Sequence, residues 1–290
     1  MAVGEIISAA RYNALQAKIA NVVGIGSDQY GYGQTLASSL VSLTNNVSAQ
    51  HMVDLKTDII KARVHQTGSN SPALTTVAIA EDITDAVYVE YENIVTTLFN
   101  NKNDIYELTQ ADVEVKLNST RNTTWGGASQ PQTIYHEFNV TFTDANHRRY
   151  FFNAGGEIRF SASLTGVSGA KSLGWAGLLS SMSTIKFDYT GVSAGSGTPT
   201  AIGNFDLTNS YQTIYTKNGS GIYSQSSYII RAKQSSASQI TFQIALYDGE
   251  NNFVDEVVNG TLTSSISQLR PVGLYVEVST PTYQNVTTLS

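Results

Sequence analysis

Apolar positions in the N-terminal third of the chain recur in steps of three and four, in one phrase written three times. The first copy holds Ile7, Ser8, Tyr12, Leu15 and Ile19. The second holds Val47, Ser48, Met52, Leu55 and Ile59, and the third Ile83, Thr84, Tyr88, Tyr91 and Val95. Each copy begins with an aliphatic residue and a hydroxyl residue. The hydroxyl is placed to accept from a free N–H of a helix's first turn, worth about 1 kcal/mol. The aliphatic residue before it and the large apolar residue four after it form a hydrophobic staple. The spacing therefore predicts helices over 9–23, 49–65 and 85–100. Tyr12, Leu15, Ile19 and Val22 make one stripe, and Met52, Leu55, Ile59 and Ala62 another. Helices this short are marginal alone, so the stripes must pack on something. Either they hold three helices together or they form an oligomer seam. Their narrow, nearly a/d character favours helix pairing, and we expect an assembly interface there.

From Val113 the period changes to two. Val113, Val115 and Leu117 begin a strand, and Ile134, His136, Phe138, Val140 and Phe142 alternate with polar residues in a long one. Turns at 144–147 and 153–156 predict that 149–152 and 158–164 complete an antiparallel meander. Residues 172–182 read as one short helix between strands. Further strands are expected at 185–189, 211–216, 222–231, 239–247, 254–262 and 272–278, with a hairpin turn at 217–221. The fold class is α+β: a helical docking or oligomerisation module over 1–112, then an antiparallel β-sandwich, jelly-roll-like, over 113–290.

Composition sharpens this picture. Charged residues are 14% of the chain, against roughly 25% in ordinary soluble domains. Short hydroxyl and amide side chains and 16 Tyr fill the gap, which suits β-rich surfaces and protein contacts. The net charge of −6 comes with no basic run, so nucleic acid is not an expected partner. There is no Cys, which leaves neither disulfides nor Cys-ligated zinc. No basic, apolar leader and no long apolar run are present, so neither a signal peptide nor membrane insertion is expected.

Two stretches carry a family resemblance. The first is Ile7-Ser-Ala-Ala-Arg-Tyr-Asn-Ala-Leu-Gln16, with Gly31-Tyr-Gly-Gln34 and Asp58-Ile-Ile-Lys-Ala-Arg-Val-His-Gln66. The second is Arg149-Tyr-Phe-Phe-Asn-Ala-Gly-Gly-Glu-Ile-Arg-Phe160. Both resemble virion structural proteins of tailed bacteriophages, especially the marine cyanophage type. The resemblance implies a non-enzymatic component of a tail, neck or fibre, located in the virion. It carries no catalytic motif, metal site or cofactor.

The remaining chemistry-like patterns point the same way. The glycine-rich stretch 24–34 lacks the preceding strand and the Lys-Ser/Thr pair of a phosphate loop, and reads as a turn anchored by Tyr30 and Tyr32. Gly191-Val-Ser-Ala-Gly195 matches a nucleophile elbow, but no helix can start after it and every His precedes it. The acidic stretch 248–256 lacks the spacing of an EF-hand. Tyr211, Tyr215, Tyr223 and Tyr228, with Tyr247, are amphipathic rings that could stack on sugars or fill a core. The expected function is a homo-oligomeric virion subunit, most simply a trimer, contacting other tail or neck proteins. The alternative is a module that recognises a host surface glycan.

Overall fold

A computed structural model describes residues 7–78, 81–107, 111–128, 130–250 and 257–289. The chain is α+β, with N-terminal helices followed by antiparallel sheets. It divides into two compact units. One comprises Met1–Asp112, Arg149–Gly155 and Arg270–Val278; the other comprises Val113–Arg148, Gly156–Leu269 and Ser279–Ser290.

The helical unit is built on α1 (Ala9–Val23), α2 (Ala49–Thr67) and α3 (Asp85–Asn100). The three hydroxyls cap as the phrase predicts. Ser8 Oγ accepts from the Arg11 N–H, Ser48 Oγ from His51 and Thr84 Oγ1 from Val87. His51 completes a capping box, its Nδ1 accepting from the Ser48 N–H at 3.0 Å. Gly68 ends α2 at φ +72°, a left-handed turn that a side chain would strain.

The stripes correct one expectation. Tyr12, Leu15, Ile19, Val22, Met52, Leu55 and Ile59 are all buried within the unit. The three helices pack on one another through these residues, so the stripes offer no surface to a second copy. Asp58 of α2 is fully buried. Its carboxylate accepts from the Ala37 N–H at 2.9 Å, the Ser38 N–H at 2.8 Å and the Ser38 hydroxyl at 2.7 Å. Lys61 Nζ adds a fourth partner at 3.0 Å. One carboxylate thus ties the irregular segment before α2 to the helix. On the exposed flank of α1, Arg11 forks onto Glu92 of α3 at 3.0 and 2.7 Å and reaches Asp85 at 2.6 Å.

The second unit is a sandwich of two antiparallel sheets. Its strands are β1 (Ala111–Arg121), β2 (Thr133–Thr141), β3 (Glu157–Thr165), β4 (Ile185–Phe187), β5 (Val192–Ser193), β6 (Thr198–Pro199), β7 (Gln212–Asn218), β8 (Ser227–Ser236), β9 (Gln239–Tyr247), β10 (Thr261–Pro271) and β11 (Thr282–Thr287). One sheet runs β1-β10-β3-β4-β5 and the other β11-β2-β9-β8-β7-β6. Four phenylalanines join them. Phe242 of β9 lies 5.2 Å from Phe160 of β3 and 5.2 Å from Phe187 of β4, and stacks on Phe138 of β2 at 5.4 Å. Offset and edge-on aromatic contacts of this kind add about 1 kcal/mol each beyond area burial.

The expected meander at 134–164 is not formed. Residues 145–153 are a helix, α4 (Ala145–Asn153), and β2 and β3 belong to different sheets. Asp144 starts the helix, its Oδ1 accepting from the His147 N–H at 2.8 Å. The aromatic run at 150–152 has strand propensity, but the cap at Asp144 and the packing of Phe151 and Phe152, both fully buried, decide for helix. The short helix expected at 172–182 is α5 (Ala170–Ser181). Residues 222–223 form a 3-10 turn rather than strand, and β8 starts at Ser227. The strand expected at 254–262 falls partly on residues 254–256, outside the described residues; the observed strand is β10. The strand expected at 272–278 is reduced to a bridge between Val272 and Glu277.

Candidate functional site

Two places concentrate polar chemistry in the sandwich unit. The first is the outer face of the six-stranded sheet. Alternation sends Ile240, Phe242, Ile244 and Leu246 of β9 inward, and Thr241, Gln243 and Tyr247 outward. Register then aligns Arg231, Gln243 and Glu137 in one row across β8, β9 and β2. Arg231 Nη1 donates to Gln243 Oε1 at 3.1 Å, and Gln243 Nε2 donates to Glu137 Oε2 at 2.9 Å. The next row aligns Lys233, Thr241 and Asn139, where Thr241 Oγ1 donates to Asn139 Oδ1 at 2.7 Å. Lys233 Nζ sits 4.4 Å above the Tyr211 ring. Burial raises the Tyr211 hydroxyl pKa, and the Glu137 charge raises it further. Tyr135 and Tyr247, each 40% exposed, flank these rows.

Of the five tyrosines expected at a sugar site, Tyr211 and Tyr247 border this face. Tyr215 and Tyr228 are fully buried, with ring centroids 6.3 Å apart. Burial pushes the Tyr215 hydroxyl up to about 12, and it donates to the Ser196 carbonyl at 2.7 Å. These two rings are core and cannot meet a glycan. Tyr223 lies in the 3-10 turn with its ring against Gly174 of α5. Tyr135 was not expected here. Its outward position follows from β2 alternation, which could have revealed it.

The second place is a buried clasp around Asp248, just past β9. Lys171 of α5 places Nζ 2.9 Å from Asp248 Oδ2, and both side chains are almost wholly withdrawn from solvent. The same Oδ2 accepts from the Gly127 N–H at 2.9 Å, and Oδ1 accepts from the Ser226 hydroxyl at 3.0 Å. Lys171 Nζ also donates to the Glu250 carbonyl at 3.2 Å, while the Glu250 carboxylate accepts from the Gln225 N–H at 2.8 Å. Gly126 makes this possible. It lies at φ +70°, and a Cβ there would stand 2.4 Å from Asp248 Oδ2. Three separate segments therefore meet on one carboxylate. The first two carboxylates of the acidic stretch at 248–256 are engaged in this way, and residues 251–256 lie outside the described residues.

Other patterns resolve into local structure. Ser193, in the elbow-like sequence, sits in β5 and pairs with Lys186 of β4. In the glycine-rich stretch, Gly33 N–H donates to the Gly24 carbonyl at 2.9 Å, Tyr32 is buried and Tyr30 stacks on Phe99 at 5.6 Å. Among the described residues no three His, Asp or Glu side chains gather as a metal site, and no helix is long and apolar enough to cross a membrane. No family model, curated protein or solved structure matches the chain.

Proposed function

We propose that this chain is a non-enzymatic structural subunit of a tailed-phage virion, part of a tail, neck or fibre. The observation that carries the reading is where the two family-like stretches go. They are far apart in sequence, yet residues 149–155 of the second brace parts of the first inside the helical unit, while residues 157–160 lie in β3. Asn153 Nδ2 donates to the Gly31 carbonyl at 3.2 Å, and His65 Nε2 donates to the Ala154 carbonyl at 2.9 Å. Gly33 packs under the Tyr150 ring, and Arg149 Nη2 donates at 2.9 Å to the carbonyl of Ile25, between two parts of the first stretch. The resembling residues of the helical unit thus form a packed framework, as a shared structural part would. Buried charge elsewhere serves bracing too. Arg148 donates to the Asn204 side chain at 2.7 Å and to the Asn204 carbonyl at 2.9 Å.

In this reading the helical unit docks to neighbouring tail or neck proteins and the sandwich is presented outward, in a homo-oligomer that is most simply a trimer. Because the helix stripes are internal, docking uses other faces, where Leu40 and Leu43 are exposed. The test is proteomic. Density-purified particles of the phage that encodes the chain should contain its peptides in fixed ratio to the major tail proteins. Their absence from the particles would overturn the reading.

The second reading, glycan recognition, is favoured by one observation: Tyr135, Tyr247 and Tyr211 border hydrogen-bonded rows of amide, hydroxyl and charged groups on one sheet face. Rings stack on the C–H faces of sugars while such polar groups meet their hydroxyls. Glycan-array binding by the full chain that is lost in Tyr247→Ala would support it. A flat array would count against it.

A further inference from the structure

Lys171 and Asp248 are placed for more than an ion pair. Their facing atoms are 2.9 Å apart, and the two side chains are 1% and 0% exposed. Trp175, one turn along α5 from Lys171, packs edge-on against Trp125, next to Gly126, with ring centroids 4.7 Å apart. Withdrawing an ammonium and a carboxylate from water carries a heavy desolvation penalty. An amino group and a carboxyl group are the reactants of amide formation, and the fold holds the two in contact.

We propose that Lys171 Nζ and Asp248 Cγ condense into an intramolecular isopeptide bond. The ammonium gives one proton to a carboxylate oxygen. The nitrogen lone pair then attacks Cγ, forming the N–C bond and placing charge on the other oxygen. Lys171 Nζ faces Oδ2, so that charge falls on Oδ1, to which the Ser226 hydroxyl already donates, while the Gly127 N–H steadies Oδ2. A second nitrogen proton passes to the departing hydroxyl, the C–O bond breaks and water leaves. Ammonium plus carboxylate thus becomes amide plus one water, with no oxidant, reductant or co-reactant. The Glu250 carbonyl, 3.2 Å from Nζ, positions the nitrogen. The bond would fasten α5 to the end of β9 in a chain that has no Cys for a disulfide.

The experiment is intact-mass spectrometry of the denatured full chain, with tryptic mapping. The expected mass is lower than that of the sequence by one water. Trypsin should leave a branched peptide joining the segments around Lys171 and Asp248, uncut at Lys171. Asp248 precedes Gly249, so a cyclic imide at that bond would remove the same mass. Lys171→Met separates the two: regaining the full mass supports the isopeptide bond, whereas a persisting deficit assigns the loss to the imide and overturns it. A wild-type chain at full mass, or one lacking the branched peptide, also overturns it. The wild-type readout does not depend on any variant folding, and it is independent of where the chain sits in a virion.

Discussion

His136 Nδ1 and Ser264 Oγ lie 2.9 Å apart, joining the two sheets of the sandwich through its interior. His136 Nε2 donates to Asn285 Oδ1, also at 2.9 Å, so Nδ1 accepts from the Ser264 hydroxyl. Burial holds the ring below its ordinary pKa. Ser264→Ala leaves that acceptor buried without its donor and should cost about 1–3 kcal/mol. In the double variant His136→Phe/Ser264→Ala, both polar partners go together, so the loss should fall short of the sum of the single losses. Urea midpoints across the cycle check this; strict additivity would mean the bond does not couple the sheets.

Acid should loosen the helical unit through His65. Its ring is buried, lies 4.9 Å from Tyr32, and is pushed down to about 4, chiefly by burial. The unfolded chain takes up this proton near the ordinary value of about 6.5, and the folded chain does not. The contribution is therefore complete above about 6.5, declines as the pH falls through the window, and levels off below about 4, a loss on the order of 3 kcal/mol. Denaturation midpoints across that range should flatten in His65→Gln.

Asp58→Ala should be among the most damaging single changes in the helical unit. It strips the acceptor from two backbone N–H groups and from the Ser38 hydroxyl, and the expected loss is about 3 kcal/mol. By contrast, the Arg11–Glu92 pair is part-exposed, and a double-mutant cycle should return about 0.5 kcal/mol. Chemical denaturation measures both.

Gly126→Ala tests the clasp from the backbone side. The left-handed conformation and the approach to Asp248 should together cost about 2 kcal/mol or more. Gly166 has a similar φ of +65° but open space around it, so Gly166→Ala should lose only the conformational part. Equal losses in the two variants would contradict close packing at Asp248.

The helices were legible because capping and stripe signals are local. Ser8, Ser48 and Thr84 each stand beside the turn that they satisfy. What the stripes faced was not legible, since a narrow apolar face looks the same in a three-helix core and at an oligomer seam. Strand β10 was hidden because its inward residues include Ser264 and Gln268, both fully buried. Their partners, His136 and Tyr283, are distant in sequence, so no alternation marks the strand. In β1, at the edge of its sheet, pattern and burial are reversed. Val113 and Val115 are exposed, while Ser119 and Arg121, at positions of the same parity, are buried. The clasp was unreadable for the same reason: Gly127, Lys171, Ser226 and Asp248 meet only after the sandwich closes.

Immunogold electron microscopy tests the proposed structural place in a phage particle. The particles would be those of the phage encoding the chain, labelled with antibody raised against the full chain. Gold is expected at the tail, neck or fibres of intact particles, in a regular pattern set by the oligomer. Gold confined to the head surface would contradict the tail, neck or fibre assignment, and unlabelled particles would contradict the virion reading itself.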